Sequence, residues 1–161
     1  MKKNTRLLLL PALAITLLDQ VSKLILVRTI HIHESVPVIH GLFNLVHVRN
    51  RGMAFGMMNR PGHGFVFYLL IAATVGAVVL LILWFRKLKD DEHKIILGLS
   101  LILGGAVGNL IDRIRLGEVI DFLDFYVGPH HWPSFNVADS AITVGVLWLA
   151  INMLFRKPSR E

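Results

Sequence analysis

The amino-acid sequence predicts a membrane protein of mainly α class: a bundle of four transmembrane helices with a small extracytoplasmic β element at the membrane surface. Two observations predict it. Hydrophobic residues make up 54% of the 161 and charged residues only 17%, against about 25% charged in a typical soluble domain. The apolar residues also fall in four long runs rather than in the short periodic clusters of a soluble core. Mean hydropathy is +0.60. This composition excludes a soluble globular domain and a disordered chain, and the lack of cysteine excludes a disulfide scaffold. The length leaves room for one integral membrane domain over residues 1–161.

The first run, 7–27, is 21 residues interrupted only by Pro11 and a few polar groups. At the helical rise it reaches about 31 Å, enough for the hydrocarbon core. The second run, 65–85, carries no charge. The third, 95–111, and the fourth, 140–155, are shorter and need flanking residues or a locally thin bilayer. Between them lie the external segments 28–64 and 112–139. Val36 to Arg49 is rich in β-branched and aromatic residues around Gly41, which predicts a strand or hairpin. The second external segment mixes glycine, proline and histidine with Phe122, Phe125, Tyr126 and Trp132, aromatics suited to the headgroup interface.

Lysine and arginine set the orientation. Residues 1–6, 86–94 and 156–161 hold ten of them in 21 positions, whereas the two external segments hold six in 65. The dense side is the cytoplasmic one, so both termini are predicted inside. Topology thus accounts for the formal charge of +6, membrane lipid is the predicted surrounding, and no nucleic acid partner is implied. Lys2, Lys3 and Arg6 before an apolar stretch and Ala12-Leu13-Ala14 also resemble a cleavable secretory signal. Apolar character resumes after Lys23 as Leu24 to Val27, which makes this segment a permanent span.

Ionisable groups inside a span are costly and need a reason. In the first helix Thr16, Asp19, Gln20 and Lys23 fall at i, i+3, i+4 and i+7, one polar stripe that should face the bundle. Asp19 and Lys23 have the spacing of a helical ion pair, read first as structural glue. In the third helix Gly104 and Gly108 form a G-x-x-x-G spacing for close packing. Asn109 and Arg113 share a face, and Asp112 is placed to pair with Arg115. Asp121 stands in an apolar setting where an acid resists ionisation. Asp124 reads as a solvated partner of Arg113 or Arg115, and Asp139 as the N-cap of the fourth helix.

These groups, together with Asn50 and Asn136, converge at one level near the outer surface, which raises a second reading of the acids. Two neighbouring carboxylates share a proton over a useful pH range. One then activates water while the other polarises a carbonyl and protonates the leaving amine. Other hydrolytic schemes fit less well. There is no cysteine nucleophile, and His33-Glu34 fails the H-E-x-x-H pattern because Pro37 stands where the second histidine belongs. Seven histidines scatter over the external segments and read as surface residues, so no metal or other cofactor is predicted. Ser100 lacks the closing glycine of a nucleophile elbow. The alternatives are a proton-coupled transporter or a membrane scaffold. The cytoplasmic halves of helices two to four carry no ionisable path, which disfavours the transporter.

Five boxes in order resemble a known family. Asp19-Gln-Val-Ser-Lys23 is similar to its D-x-x-[ST]-K box, and Asn50-Arg-Gly-Met-Ala-Phe55 to its N-x-G-x-A-F box. Gly105 to Arg113 is similar to G-x-x-G-N-x-x-D-R and includes Gly108, Asn109 and Asp112. Val119-Ile-Asp-Phe122 and Phe135-Asn-Val-Ala-Asp139 complete the set. The chain thereby resembles the lipoprotein signal peptidases (signal peptidase II), membrane aspartic endopeptidases of bacteria. The resemblance implies Asp121 and Asp139 as the catalytic pair. It implies Asn50, Asn109, Arg113 and Asn136 as groups that position substrate or support the pair, with Asp19, Lys23, Asp112 and Gly108 around them. The implied substrate is a prolipoprotein carrying diacylglycerol on its cysteine, cut just before that cysteine, by a monomer in the bacterial cytoplasmic (inner) membrane. The external strand element would cradle the site, and Ala54-Phe55-Gly56 would serve as an interfacial lid.

Overall fold

A computed structural model of the chain describes residues 3–52 and 64–155. The expected lid at Ala54-Phe55-Gly56, and the cations Lys2, Arg60, Arg156, Lys157 and Arg160, lie outside the described residues.

Four helices are each long and apolar enough to cross a membrane. They are α1 (Lys3–Thr29), α2 (Phe65–Lys87), α3 (His93–Leu116) and α4 (Val137–Leu154). Strands β1 (Ser35–Ile39) and β2 (Phe43–Asn50) follow α1, and β3 (Val119–Val127) and β4 (His130–His131) follow α3. The four strands form an antiparallel sheet in sequence order. Both pairs of strands leave the C-terminal end of one helix and lead to the N-terminal end of the next, so the sheet sits at one end of an up-and-down bundle.

Two boundaries differ from the sequence expectation in ways that matter for the site. The third helix continues past 111 to Leu116 and stops where Gly117 takes the left-handed conformation (φ 77°) and closes the last turn on the Arg113 carbonyl. Asp112 and Arg113 are therefore helical residues, not loop residues. The fourth helix starts at Val137 rather than at 140, because Asn136 and Asp139 form a reciprocal capping box. Asn136, not Asp139, is the N-cap.

α3 is the central helix. It packs against α1, α2 and α4 and supplies the largest share of the buried residues. Its glycines allow this. A Cβ on Gly104 would stand 2.6 Å from the Ala12 carbonyl oxygen of α1, and one on Gly108 would stand 2.6 Å from Asp19 Oδ2. A Cβ on Gly105 would collide with the Ala138 carbonyl of α4. The G-x-x-x-G pair Gly104 and Gly108 thus admits α1, while the neighbouring Gly105 admits α4. Thr16 Oγ1 adds a hydrogen bond across the seam to the Gly104 carbonyl (3.0 Å). α2 has no fully buried residue; Val78, Leu81, Trp84 and Phe85 pack against the core around α3, and much of the rest of its apolar surface is exposed.

β1 and β2 form the hairpin expected from Val36 to Arg49. β3 lies within a segment read only as an aromatic-rich loop. Its Phe122, expected at the headgroup interface, is buried with Leu26, Ile30 and Ile120, where it joins the sheet to the end of α1.

Candidate active site

The polar stripe of α1 faces α3, as its spacing predicts. Lys23 is 2% exposed and its Nζ donates to Asp112 Oδ2 (2.7 Å), Asp19 Oδ2 (2.8 Å) and Asn109 Oδ1 (3.1 Å). All three ammonium protons are thereby used. Asp112 pairs with this lysine on another helix, not with Arg115 as local spacing indicated. It also accepts the Ile120 N–H (3.3 Å), which ties the end of α3 to the start of β3. Asp19 reaches the third partner: its Oδ1 accepts the Ala138 N–H in the first turn of α4 (3.0 Å). One buried ion cluster thus clasps α1, α3, β3 and α4.

Lys23 also orients what lies above it. Because its ammonium occupies Asn109 Oδ1, the Asn109 amide must turn its NH2 the other way, where Nδ2 donates to Asp139 Oδ1 (2.8 Å). Asn136 is fixed by the same logic. Its Oδ1 accepts the Asp139 N–H of the capping box (2.9 Å), so its Nδ2 points toward β3 and donates to Asp121 Oδ1 (2.8 Å). The same NH2 group is shared with Asn109 Oδ1 and the Ile120 carbonyl, both at 3.2 Å. Asn50, at the end of β2, donates Nδ2 to the other oxygen of Asp121 (2.8 Å) and holds its own Oδ1 on the Gly52 N–H. No buried side-chain nitrogen or oxygen among the described residues lacks a partner.

Asp121 and Asp139 are therefore both tied to Asn136, Asp121 through its carboxylate and Asp139 through its own N–H and, by Oδ2, the Asn136 N–H (3.3 Å), in unequal surroundings. Asp121 is 2% exposed. Burial, reinforced by the charge of Asp139, pushes its carboxyl up to about 6 against the opposing hydrogen bonds of Asn50 and Asn136 and the charge of Lys23. Asp139 is half-buried in the first turn of α4, at the positive end of the helix dipole. Arg113, half-buried, makes no hydrogen bond or ion pair among the described residues, yet it feels the charges of Asp139, Asp112 and Asp121. This is a buried polar centre with two acids, one free guanidinium, and a rigid frame of asparagines.

The structure brings together every residue singled out from sequence: Asp19, Lys23, Asn50, Gly108, Asn109, Asp112, Arg113, Asp121, Asn136 and Asp139. Gln20 was read only as part of the stripe. It belongs to the same network, donating Nε2 to Asp112 Oδ1 (2.9 Å) and to the Gly108 carbonyl (3.1 Å). Asp124 is not a solvated partner of Arg113 or Arg115. It is 5% exposed and accepts from Asn44 Nδ2 (2.9 Å), with His131 Nδ1 also at 2.9 Å. His47 departs from the surface reading too: it is 2% exposed, with Nδ1 on the Ile30 carbonyl (2.8 Å).

Known proteins resemble this chain over nearly its whole length. The family model described as Signal peptidase (SPase) II matches residues 11–155. The lipoprotein signal peptidase of Geobacter metallireducens is 47% identical over 154 residues, covering 96% of this chain and 94% of that one. The lipoprotein signal peptidase of Syntrophus aciditrophicus is 42% identical over 161 residues and covers both chains fully, at 100% each. A solved structure described as a bacterial membrane enzyme, obtained by the in meso method at 1.9 Å resolution, superposes with a TM-score of 0.78 at 33% identity and covers 92% of each chain. With the fold and nearly the full length matched, the chain belongs to the signal peptidase II family.

Proposed function

We propose that this protein is the aspartic endopeptidase that removes the signal peptide from diacylglyceryl-modified prolipoproteins, cutting on the N-terminal side of the lipid-modified cysteine. The observation that carries the reading is that one frame of asparagines holds both carboxylates, Asn136 Nδ2 on Asp121 and Asn109 Nδ2 on Asp139, with one acid buried and the other at a helix N-terminus. Family membership supports the substrate class.

Asp121 and Asp139 share one proton, and the raised pKa of Asp121, about 6, makes it the acid of the pair. A water between them gives a proton to Asp139 as its oxygen attacks the scissile carbonyl, and Asp121 donates to the developing oxyanion. The tetrahedral intermediate then collapses. Asp139 delivers its proton to the leaving amine of the cysteine, and Asp121 recovers its own from the intermediate's hydroxyl. The pair bears one negative charge before and after. Asn109 and Asn136 hold the carboxylates in place through the cycle, so little reorganisation accompanies the charge movement. Arg113 offers its guanidinium to the peptide carbonyls, and Asn50 fixes Asp121 from the sheet side. The Asp19–Lys23–Asp112 cluster and Gly108 support this frame from below.

The sign pattern of the flanking segments supports both termini in the cytoplasm and the site at the outer face of the inner membrane. A lipid on the cysteine confines the scissile bond to that same level, which replaces a three-dimensional search with positioning. The test is cleavage in proteoliposomes of a synthetic precursor with and without its diacylglyceryl group. The reading expects a product whose new N-terminus is the lipidated cysteine and little cleavage of the unmodified peptide. Equal cleavage of both would overturn it.

A further inference from the structure

Beside the acid pair lies a cavity that the proposed reaction does not use. It has a volume of about 110 Å³ and opens between the ends of α1 and α3 on the sheet side. The volume is several waters' worth of space. Its lining mixes Gln20, Lys23, Arg49, Asp112 and Arg115 with apolar side chains, of which Leu24, Val27 and Leu116 are 49%, 38% and 42% exposed.

Three cations converge on it: Lys23, Arg49 and Arg115. They are not equally available. The three protons of Lys23 are used by Asp19, Asp112 and Asn109, so it contributes no hydrogen bond. Arg49 has Nε on His47 Nε2 (3.1 Å) and Nη1 3.6 Å from Glu118, which leaves its other Nη free to donate. Arg115 has no acidic partner among the described residues; its sole hydrogen bond there is to Gln20 Oε1 at 3.5 Å. Two arginines with spare donors thus flank a small cavity at headgroup depth, with acyl-compatible side chains at its edge.

We infer that this cavity binds the phosphodiester headgroup of an anionic membrane phospholipid, held between Arg49 and Arg115 with its chains along Leu24, Val27 and Leu116. Guanidinium groups recognise phosphate oxygens through paired donors. A zwitterionic headgroup carries the same phosphodiester but adds a quaternary ammonium, which the two arginines repel, so a net anionic headgroup is favoured. The diacylglyceryl group of the proposed substrate has no phosphate, so this lipid is a second, separate ligand. It would sit on the opposite side of Lys23 and Asp112 from the acid pair and brace the α1–α3 seam that positions them.

The test is native mass spectrometry of the detergent-purified full chain titrated with phosphatidylglycerol, with phosphatidylcholine as comparator. The inference expects phosphatidylglycerol to be retained in preference. It expects Arg115→Gln to weaken that retention about fivefold, the worth of one surface cation, and Arg115→Lys to restore part of it. Arg86→Gln, at the other end of the bundle, should change nothing. Inorganic phosphate at matched concentration should not displace the lipid, because it lacks the chains. Equal retention of phosphatidylcholine, unchanged retention in Arg115→Gln, an equal loss in Arg86→Gln, or displacement by inorganic phosphate would each overturn it. The readout is binding, so it stands or falls apart from peptidase activity.

Discussion

Replacing Lys23 by Met removes the single cation that two buried carboxylates share. Lys23 lies 2.8 Å from Asp19 and 2.7 Å from Asp112, with side-chain exposures of 2% or 3% at most for all three groups. Breaking a buried pair by deleting one member leaves an uncompensated charge and costs about 3–5 kcal/mol. Here two acids are orphaned at once, and Asn109 loses the contact that orients its amide toward Asp139. The expected loss for Lys23→Met is therefore at the upper end, about 4–5 kcal/mol. By contrast Arg51, 51% exposed beside Glu118, should cost under about 1 kcal/mol when replaced by Gln. Chemical unfolding in micelles, followed by tryptophan fluorescence, measures both. The triple variant Asp19→Asn, Lys23→Met, Asp112→Asn separates the causes, because it removes the charges while keeping acceptors for the Ala138 and Ile120 N–H groups. It should recover more than half of the loss. A Lys23→Met protein within about 1 kcal/mol of the parent, or a triple variant no more stable than it, would refute the reasoning.

The pH dependence of stability should carry a signature of Asp121. Folding raises its pKa from 3.8 to about 6, so its contribution is full below 3.8, falls as pH rises through about 6, and is then lost, a swing of about 3 kcal/mol. Asp121→Asn should remove that slope, as thermal melts across pH would show. Gly105→Val should lower the melting temperature through its collision with the Ala138 carbonyl, an overpacking cost of about 1–3 kcal/mol. Gly76→Ala in α2 meets no atom within 4 Å and should be neutral or slightly stabilising in the same melts. Asn136→Ala removes an N-cap and the contact with Asp121. Unfolding titrations should show a cost of at least about 1 kcal/mol, with a larger relative loss in turnover.

The helices were legible because a bilayer demands long uncharged runs, and the stripe of Thr16, Asp19, Gln20 and Lys23 because helical spacing puts it on one face. The partners of that stripe were less so. Asp112 sits three residues from Arg115, which local spacing favours, but it pairs with Lys23 some ninety positions away, where desolvation makes the contact worth more. Asp124 finds Asn44 across the β2–β3 pairing, a contact no local pattern encodes. β3 was missed because two aspartates interrupt Val119 to Val127, although the β-branched and aromatic residues between them carry the strand signal. The start of α4 could have been read from Asn136-Val-Ala-Asp139, since Asn followed by an acid three positions on has the form of a reciprocal cap. Gln20 was visible in the stripe, but only its three acceptors show that it belongs to the site.

The central claim is that Asp121 and Asp139 handle one proton between them. Its most direct test is turnover of a diacylglyceryl precursor by purified Asp121→Asn and Asp139→Asn proteins, each first shown by its melting curve to be folded. The account predicts that either change alone lowers the cleavage rate by about 10²–10⁴-fold or more, and that combining them costs little beyond the larger single loss. Near-parental cleavage by either folded variant would contradict it.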